Sequence, residues 1–384
     1  MFTKIKKLHI EVSTKCNARC PGCPRGWHGS SHIVPGIVET DISIDHIKNL
    51  LSDPALDQLE TILFNGDYGD FLMHDNPLEI IRLVREKFPK LRIKIHSNGG
   101  GKPVSFWREL AKYNVHVEFG IDGLEDTHSL YRRNTLFSTV IKNASAFVQS
   151  GGHAIWMMTV FKHNQHQVEE CRSLSKQLNF EQFIYRYSTR GGAEVGVLEV
   201  VDDDNRIEYC LENTSEKFKD IPIVFDLYAR KGQEPTQFRK SVLEEKHDNI
   251  QEKKLRAERE LYWLEKNIDR LTAPMTCRAK QFDEIYITAQ GLVYPCCWIG
   301  IQRTIENFHH YDEFVDFLGS HKMGIDDISL DNTTVSALLE RGYFQKVEDT
   351  FNTDRRIRKC AESCTKSSDT NLMFEGVWKQ IAKS

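Results

Sequence analysis

The sequence lacks the features that send a chain to or across a membrane. Its first ten residues contain no continuous apolar core, so they do not resemble a secretion signal. No apolar run elsewhere approaches the length of a transmembrane helix. Ten cysteines in a chain of 384 residues without such a signal are typical of metal ligands in a reducing compartment, not of a disulfide framework. The sequence therefore predicts a cytoplasmic protein with no membrane partner.

The chain also lacks a strong charge of one sign. Lysine and arginine number 51, and aspartate and glutamate number 55, which leaves a formal net charge of -4. A chain without an overall basic field is not expected to bind nucleic acid. Internal repeats and low-complexity segments are missing too, and 40% apolar residues suffice for a sizeable core. These properties predict a globular protein with one large and one small domain.

What the chain does have is a group of three cysteines, Cys16, Cys20 and Cys23, directly after an apolar run that predicts a first strand. Three thiolates on one short loop can each take a different iron of a four-iron cubane cluster, which leaves the fourth iron without a protein ligand. An open iron can chelate a substrate or a cofactor, so the spacing predicts chemistry as well as structure. The alternative is a structural zinc site, for which His28 or His32 would have to supply the fourth ligand.

The pattern Cys-x3-Cys-x2-Cys after a first strand resembles the signature of the radical S-adenosylmethionine (radical SAM) superfamily. In that family the open iron binds the methionine moiety of S-adenosylmethionine, and an electron from the cluster cleaves the sulfonium. The resemblance implies a 5'-deoxyadenosyl radical that abstracts a hydrogen atom, while the protein supplies position and excludes water. One position departs from the pattern, because Gly22 stands where the family usually has an aromatic residue against the adenine. Adenine packing is therefore expected from elsewhere, with Trp27 as the candidate.

Six strand-like runs alternate with helical patterns in the first half of the chain, which predicts repeated βα units and a parallel sheet. The runs lie at about residues 6–12, 59–64, 91–96, 115–121, 153–161 and 182–187. Their number matches the partial (β/α)6 TIM-like barrel of the radical SAM family, and we expect an α/β fold with this core over residues 1–200. The fourth run alternates apolar and polar positions, so one of its faces is expected to be apolar and the other polar.

Candidate cofactor-binding residues follow three of these strands, as expected where loops after barrel strands carry function. After the second strand, Gly69 and Asp70 resemble the family's Gly-Gly-Glu element, whose carboxylate and backbone receive the methionine ammonium. After the third, Asn98 resembles the polar residue of the family's Thr-Asn-Gly turn. After the fourth, the resemblance implies that Asp122 positions the ribose or the methionine and that Arg132 pairs with the methionine carboxylate. A plain turn or a surface ion pair explains the same residues without a cofactor.

Residues 201–273 differ in composition from the predicted barrel and form a predicted charged insertion. Apolar residues recur there at steps of three and four from Ala257 to Leu271. This spacing predicts an amphipathic helix or a short coiled-coil seam. A solvated insertion packed on the barrel and a partner-docking helix both fit the pattern.

A second cysteine group, Cys277, Cys296, Cys360 and Cys364, lies in the predicted third region, residues 274–384. The order of elements in this region resembles the SPASM/twitch extension of radical SAM enzymes. It consists of a thiolate, a β-hairpin-like segment, another thiolate, a helical stretch and a final cysteine pair. The middle block of four cysteines of a full SPASM domain is missing, so the resemblance is to the shorter twitch form with one auxiliary four-iron cluster. Cys297 is an alternative to Cys296, and zinc would satisfy four thiolates equally well.

These patterns together predict a radical SAM enzyme with one four-iron cluster that binds S-adenosylmethionine and one auxiliary four-iron cluster. The resemblance implies a small natural-product molecule, a peptide or a protein side chain as substrate, oxidised at a C-H or C-OH carbon, or crosslinked or epimerised. The expected reductant is a flavodoxin or a ferredoxin. Only fifteen residues precede Cys16, so we expect no large leader-binding domain there, which lowers the case for a peptide substrate without excluding it. A non-catalytic iron-sulfur electron-transfer protein and a zinc-stabilised binding module remain open, and Cys171 and Cys210, outside both groups, are expected to be buried apolar residues.

Overall fold

The structure is a computed structural model that describes residues 4–188, 196–214, 273–304, 308–353 and 355–365. The predicted amphipathic helix between Ala257 and Leu271 lies outside these ranges. No helix in the described ranges is both long enough and apolar enough to span a membrane.

A mostly parallel sheet of eight strands forms the centre of the described part of the chain. All six predicted barrel strands are present, and each pairs in parallel with the next along the chain. They are β1 (Lys7–Ile10), β2 (Thr61–Phe64), β3 (Arg92–Ser97), β4 (His116–Gly120), β5 (His153–Val160) and β6 (Gln182–Tyr187). The sheet is open at both edges within the described residues, so the predicted α/β fold with a partial barrel is confirmed.

Helices connect these strands, as parallel pairing requires. The connecting helices are α1 (Ile44–Leu51), α2 (Pro77–Lys87), α3 (Val104–Ala111), α4 (His128–Tyr131), α5 (Phe137–Gln149) and α6 (Val168–Gln177). Helix α1 begins after Ser43, whose hydroxyl accepts a hydrogen bond from the backbone N–H of His46 at 3.0 Å. Trp107 of α3 is fully buried, with its ring 5.1 Å from that of Phe119 on β4. The helices thus cover the apolar outer face of the sheet.

The strands alternate between this outer face and the barrel interior. Val117 and Phe119 of β4 are fully buried in the apolar core, whereas Glu118 and Gly120 line an internal cavity. The predicted division of β4 into an apolar and a polar face is therefore confirmed. On β3 the same alternation leaves His96 on the cavity side.

A two-stranded antiparallel ribbon, β7 (Val197–Val201) and β8 (Ile207–Glu212), follows the barrel strands. The predicted hairpin of the third region is present as β9 (Glu284–Ile287) and β10 (Val293–Tyr294). This hairpin extends the main sheet, because β9 pairs in parallel with β1 over four residues. A buried ion pair between Lys7 and Glu284, 2.5 Å apart, joins the two strands. The domain boundaries at residues 200 and 273 stay predictions.

The described part of the third region supplies five further α-helices around the hairpin. They are α7 (Arg278–Gln281), α8 (Phe308–Ser320), α9 (Val335–Glu340), α10 (Tyr343–Glu348) and α11 (Arg358–Cys364). Tyr343 of α10 is fully buried, and its hydroxyl donates to the carbonyl of Val293 at 3.2 Å. Asp53, before the barrel's second strand, accepts a hydrogen bond from the backbone N–H of Ser336 at 3.1 Å. The first contact holds α10 against the hairpin, and the second joins the third region to the barrel core.

Candidate functional site

A cavity of about 420 Å³ lies at the carboxyl ends of the barrel strands. Its walls come from the cysteine loop after β1 and from the segments that end β2, β3, β4, β5 and β6. Of the eight residues predicted for this site, those that line the cavity are Cys16, Cys20, Cys23, Gly69, Asp70, Asn98 and Arg132. The remaining one, Asp122, is fully buried beside it. The fold thus gathers residues from four separate loops at one place, as expected for the functional end of a β/α barrel.

The thiols of Cys16 and Cys20 receive hydrogen bonds from polar neighbours. The side-chain amide of Asn98 lies 3.7 Å from the Cys16 sulfur, and the backbone N–H of Ala18 lies 3.4 Å from it. The Arg132 guanidinium lies 3.9 Å from the Cys20 sulfur. Burial raises the pKa of Cys16, and it raises the pKa of Cys20 to about 11, although Arg132 opposes this. Donors aimed at sulfur stabilise the thiolate form, which is the form that ligates metals.

Hydrogen bonds to the other loops hold the cysteine loop in place. The backbone N–H of Asp70 donates to the carbonyl of Lys15 at 2.9 Å. The side-chain amide of Asn98 donates to the Asn17 side chain at 2.9 Å, and that of Asn134 donates to the Asn17 carbonyl at 2.7 Å. The loops after β2, β3 and β4 therefore each support the segment that carries the three cysteines.

Asp70 is a buried carboxylate whose oxygens are engaged by the chain itself. One oxygen accepts from the backbone N–H of Leu72 and from the Ser97 hydroxyl, both at 3.0 Å. The other accepts from the backbone N–H and the side-chain amide of Asn98, both at 2.8 Å. Burial raises the pKa of Asp70, and these donors oppose the rise. Asp70 therefore fixes the orientation of Asn98 in addition to lining the cavity.

Glu11, which follows β1, was not identified from the sequence. One of its carboxylate oxygens accepts hydrogen bonds from the backbone N–H groups of Tyr68 at 2.8 Å and Gly69 at 3.0 Å. The other accepts from the Tyr286 hydroxyl of β9 at 3.3 Å. Burial raises the pKa of Glu11 to about 7. A charged residue at the end of a buried strand, five positions before Cys16, is the signal by which it can be found.

Gly69 allows the loop after β2 to touch the cysteine loop. A Cβ atom at this position would lie 1.9 Å from the carbonyl oxygen of Ser13, which is far inside van der Waals contact. We expect Gly69→Ala to displace the loop and to weaken the S-adenosylmethionine binding that the resemblance implies by at least about tenfold, or about 1.4 kcal/mol. Isothermal titration of the cluster-loaded protein measures this. Gly101→Ala is the matched control, because its Cβ would have no neighbour closer than 3.6 Å. Equal affinities in the two variants would contradict the prediction.

Asp122 forms an ion pair with Arg132. Its carboxylate lies 2.6 Å from the Arg132 Nε and also accepts from the backbone N–H of Thr159. Arg132 in turn lies against Gly120, where a Cβ atom would come within 2.6 Å of the guanidinium. Asp122 is fully buried and does not line the cavity. Its position suits it to holding the guanidinium in place, with Arg132 as the residue that reaches the cavity.

Trp27 lies outside this cavity. It is 3% exposed, packs with Val34, Val201 and Ile207, and donates from its ring nitrogen to the Asn205 side chain at 3.1 Å. The expectation that it packs against adenine is therefore wrong, because the ribbon β7–β8 buries its ring. The aromatic residues that do line the cavity are Tyr68, Tyr131, Tyr187 and Trp298.

The four cysteines of the second group also come together. Cys277 precedes α7, and Cys360 and Cys364 lie one turn apart on α11, so both face the same side of that helix. Burial, followed by the charges of Cys277 and Cys364, raises the pKa of Cys296. The pKa of Cys360 is likewise raised by burial and by the other three thiols. The pKa of Cys297 is also raised by burial, but the next largest cause is the charge of Asp67.

Backbone N–H groups point at the sulfurs of this second group. Those of Lys280 and Ala279 lower the pKa of Cys277, and those of Ile299 and Trp298 lower that of Cys296, although burial outweighs them in both cases. Such N–H donors are typical of thiolates that carry metal. Outside both groups, Cys171 is fully buried as predicted, whereas Cys210 is only half-buried.

In neither cysteine group do three sulfurs all lie within 4.8 Å of one another. Within the described ranges, one set of three potential metal ligands has all its ligand atoms within 4.8 Å of one another: His116, His153 and Glu181. That set lies at the amino ends of β4 and β5, on the far side of the barrel from the cavity. Its two imidazoles are stacked with 16° between their planes, so their nitrogens do not converge on one ion.

Comparisons with known proteins find similarity in the first part of the chain. Residues 10–174 match the family model described as Radical SAM superfamily. The FeMo cofactor biosynthesis protein NifB of Chlorobaculum tepidum is 27% identical over 124 residues, which are 31% of this chain and 28% of that protein. NifB of Methanocaldococcus jannaschii is 28% identical over 116 residues, which are 29% of this chain and 38% of that protein. The chain thus covers well under half of the length of either relative.

The fold also has a likeness among solved structures. A histidine-tagged form of anSMEcpe with bound AdoMet superposes with a TM-score of 0.50 over 98% of this chain and 92% of its own, at 14% sequence identity. At that identity the likeness concerns the fold alone. The matched residues 10–174 include the three-cysteine loop and every loop that lines the cavity between β1 and β5. Residues 10–174 are therefore similar in sequence to the radical SAM superfamily, and the remaining part of the chain has no such match in this family model.

Proposed function

We propose that this protein is a radical SAM enzyme whose Cys16, Cys20 and Cys23 hold a four-iron cluster at which S-adenosylmethionine binds. The observation that carries the proposal is the cavity of about 420 Å³ that these three cysteines share with Arg132 and Asn98. Three thiols at a cavity suit a cluster with an open iron, whereas a closed zinc site needs four ligands. When bound, the cluster and S-adenosylmethionine supply a 5'-deoxyadenosyl radical that removes a hydrogen atom from a substrate.

The residues around the cysteines fit the polar end of S-adenosylmethionine. Arg132, held by the buried Asp122, presents a cationic fork suited to the methionine carboxylate. Gly69 and Asp70 also line the cavity, and the ammonium is assigned to the Gly69 carbonyl, with the Asp70 carboxylate, whose oxygens accept from the chain itself, adding negative charge. Asn98, oriented by Asp70, is a polar contact between them. Because the chain itself holds each of these groups, little ordering is needed when the ligand binds.

We propose further that Cys277, Cys296, Cys360 and Cys364 hold an auxiliary four-iron cluster. A zinc ion at about 2.3 Å from each of four sulfurs would place the sulfurs about 3.8 Å apart, and no three cysteine sulfurs in the described ranges lie within 4.8 Å of one another. A cluster that takes each thiolate on a different iron spaces its ligands more widely. Four protein ligands close the cluster, which favours a role in electron transfer over direct binding of substrate.

The substrate proposed is a small molecule or a peptide, oxidised or otherwise modified after loss of a hydrogen atom. A flavodoxin or a ferredoxin is the proposed electron donor, and a cytoplasmic location stays a prediction from the cysteine content. The cavity favours catalysis over a purely electron-transferring protein, since electron transfer does not require a space beside the cluster. The spacing of the sulfurs argues against the zinc-stabilised binding module.

Anaerobic reconstitution tests the proposed function. The protein is loaded with iron and sulfide, reduced with dithionite and incubated with S-adenosylmethionine. We expect about eight irons per chain, as two four-iron clusters require, and release of 5'-deoxyadenosine measured by liquid chromatography. Stoichiometric zinc with iron near zero would refute the proposal, as would an iron-loaded, reduced protein that leaves S-adenosylmethionine intact.

A further inference from the structure

A histidine and a glutamate form a close pair on neighbouring strands of the barrel interior. His96 of β3 and Glu118 of β4 are direct partners in the register of the sheet. The His96 Nε2 lies 2.5 Å from a carboxylate oxygen of Glu118. Both residues line the same cavity as the three cysteines.

The pair lies deeper in the barrel than the proposed cofactor-binding residues. His96 lies on β3, two positions before Asn98 in the loop that follows, and at about 3.3 Å per residue this places His96 about 7 Å deeper than Asn98. Glu118 precedes Gly120 by two positions on β4, and Gly120 is where Arg132 packs. His96 and Glu118 therefore form part of the cavity floor, with the cysteine loop above them.

The charges around the pair keep Glu118 ionised. Lys94 of β3 lies 3.8 Å from the Glu118 carboxylate. Burial alone would raise the pKa of Glu118, but His96, Lys94 and Arg186 of β6 together hold it below its usual value. His9 of β1 also interacts electrostatically with His96, and burial lowers the pKa of His9 to about 4, so it is neutral. A carboxylate partner fixes the Nε2 proton of His96 and leaves Nδ1 as the basic nitrogen.

The exposure of the two side chains distinguishes this pair from a purely structural one. Lys7 and Glu284 form an ion pair in the same interior, and their side chains are 8% and 6% exposed. The Glu118 side chain is similarly 7% exposed, but that of His96 is 32% exposed. The imidazole is thus presented to the cavity, while the carboxylate that orients it is buried behind it. This is the arrangement of a general base with its orienting carboxylate.

We propose that His96, oriented by Glu118, binds a substrate hydroxyl on the cavity floor and accepts its proton, so that the substrate is an alcohol oxidised to a carbonyl compound. This inference rests on the proposed function and selects the oxidation of a C-OH carbon within it. Oxidation of an alcohol removes one hydrogen atom from carbon, one electron and the hydroxyl proton. The hydrogen atom passes to the 5'-deoxyadenosyl group, the electron to an iron-sulfur cluster and the proton to the Nδ1 of His96. His96 is the catalytic residue and Glu118 the positioning residue.

The first test measures binding without turnover. Perdeuterated glucose, perdeuterated glycerol and a serine peptide deuterated at the β-carbon are titrated into oxidised, cluster-loaded protein saturated with S-adenosylmethionine. We expect at least one probe to bind and His96→Gln to weaken that probe by about tenfold, while S-adenosylmethionine binds the variant as it binds the wild type. His153→Gln is the matched control, because His153 lies at the amino end of β5 away from the cavity. If no probe binds, or if the wild type and His96→Gln bind it equally, the inference is wrong.

The second test follows the reaction after reduction. The wild type is expected to transfer deuterium from the bound alcohol into 5'-deoxyadenosine and to form the carbonyl product. His96→Gln should lose about 100-fold or more in carbonyl formation, the usual contribution of a general base. Glu118→Gln should bind the probe and shift the pH profile of carbonyl formation, since its amide accepts the same hydrogen bond without the negative charge. Unchanged carbonyl formation by His96→Gln would overturn the inference. A wild type that forms no 5'-deoxyadenosine would instead refute the proposed function. The binding test is a separate readout, because it measures binding without reduction or turnover.

Discussion

Replacing Cys20 by alanine is expected to abolish the formation of 5'-deoxyadenosine. Each of the three proposed thiolates holds one iron, so the loss of one leaves the cluster with two protein ligands and exposes it to decay. The iron content should fall from about eight to about four per chain, the amount held by one four-iron cluster. The turnover of S-adenosylmethionine should fall below detection, which we put at a loss of more than about 1,000-fold, or about 4 kcal/mol. Iron analysis and chromatography of the reaction mixture measure the two effects.

Cys171→Ala is the control for this experiment. Cys171 is also a buried thiol, but it lies on α6 and belongs to neither cysteine group. Its removal should leave both the iron content and the yield of 5'-deoxyadenosine unchanged. A Cys20→Ala protein that retains about eight irons would show that Cys20 is not a ligand and would remove the basis of the proposed function.

The second large effect is the expected difference in iron content between the Cys296→Ala and Cys297→Ala variants. We expect Cys296→Ala to lose the auxiliary cluster, with iron falling from about eight to about four, and to keep reductive cleavage of S-adenosylmethionine. Cys297→Ala should keep about eight irons. The reason is that Cys296 interacts electrostatically with Cys277 and Cys364, whereas after burial Cys297 is affected most by Asp67.

Iron analysis and electron paramagnetic resonance of the reduced proteins distinguish these outcomes. In Cys296→Ala only the signal of the first cluster should remain, while Cys297→Ala should show both. The reverse pattern would assign the ligand to Cys297. Loss of all iron in Cys296→Ala would show that the variant does not fold, in which case Cys364→Ala, altered in the last turn of α11, is the second variant to measure.

Local patterns were sufficient to predict the barrel core. Each of β1 to β6 is a short apolar or alternating run, and each has helical spacing after it, so period and order alone predict parallel pairing. The partnership of β9 with β1 was not predicted. This pairing joins residues about 280 positions apart. The residue pattern of Lys7–Ile10 or of Glu284–Ile287 does not reveal which distant strand it pairs with. The region 215–272 lies outside the described residues, so its predicted helix stays a prediction.

In the site, too, residues defined by a local sequence pattern could be predicted, whereas residues defined by contacts distant in sequence could not. Cys16, Cys20 and Cys23 could be identified because their spacing is itself the chemical requirement. Glu11 and His96 could not, because their roles depend on contacts with loops and strands far away in sequence, such as the bond from Gly69 to Glu11. Trp27 was assigned wrongly, since nothing near it in sequence reveals that β7 and β8 cover its ring.

The pairing of β9 with β1 has a mechanical consequence for the two cysteine groups. Strand β1 runs towards Cys16, and the β9–β10 hairpin runs directly into Cys296. Adjacent strands stay about 4.8 Å apart because backbone hydrogen bonds hold them. The sheet therefore fixes the separation of the two cysteine groups, and electron transfer between the two proposed clusters should be insensitive to the length of the segment that connects the barrel to the hairpin.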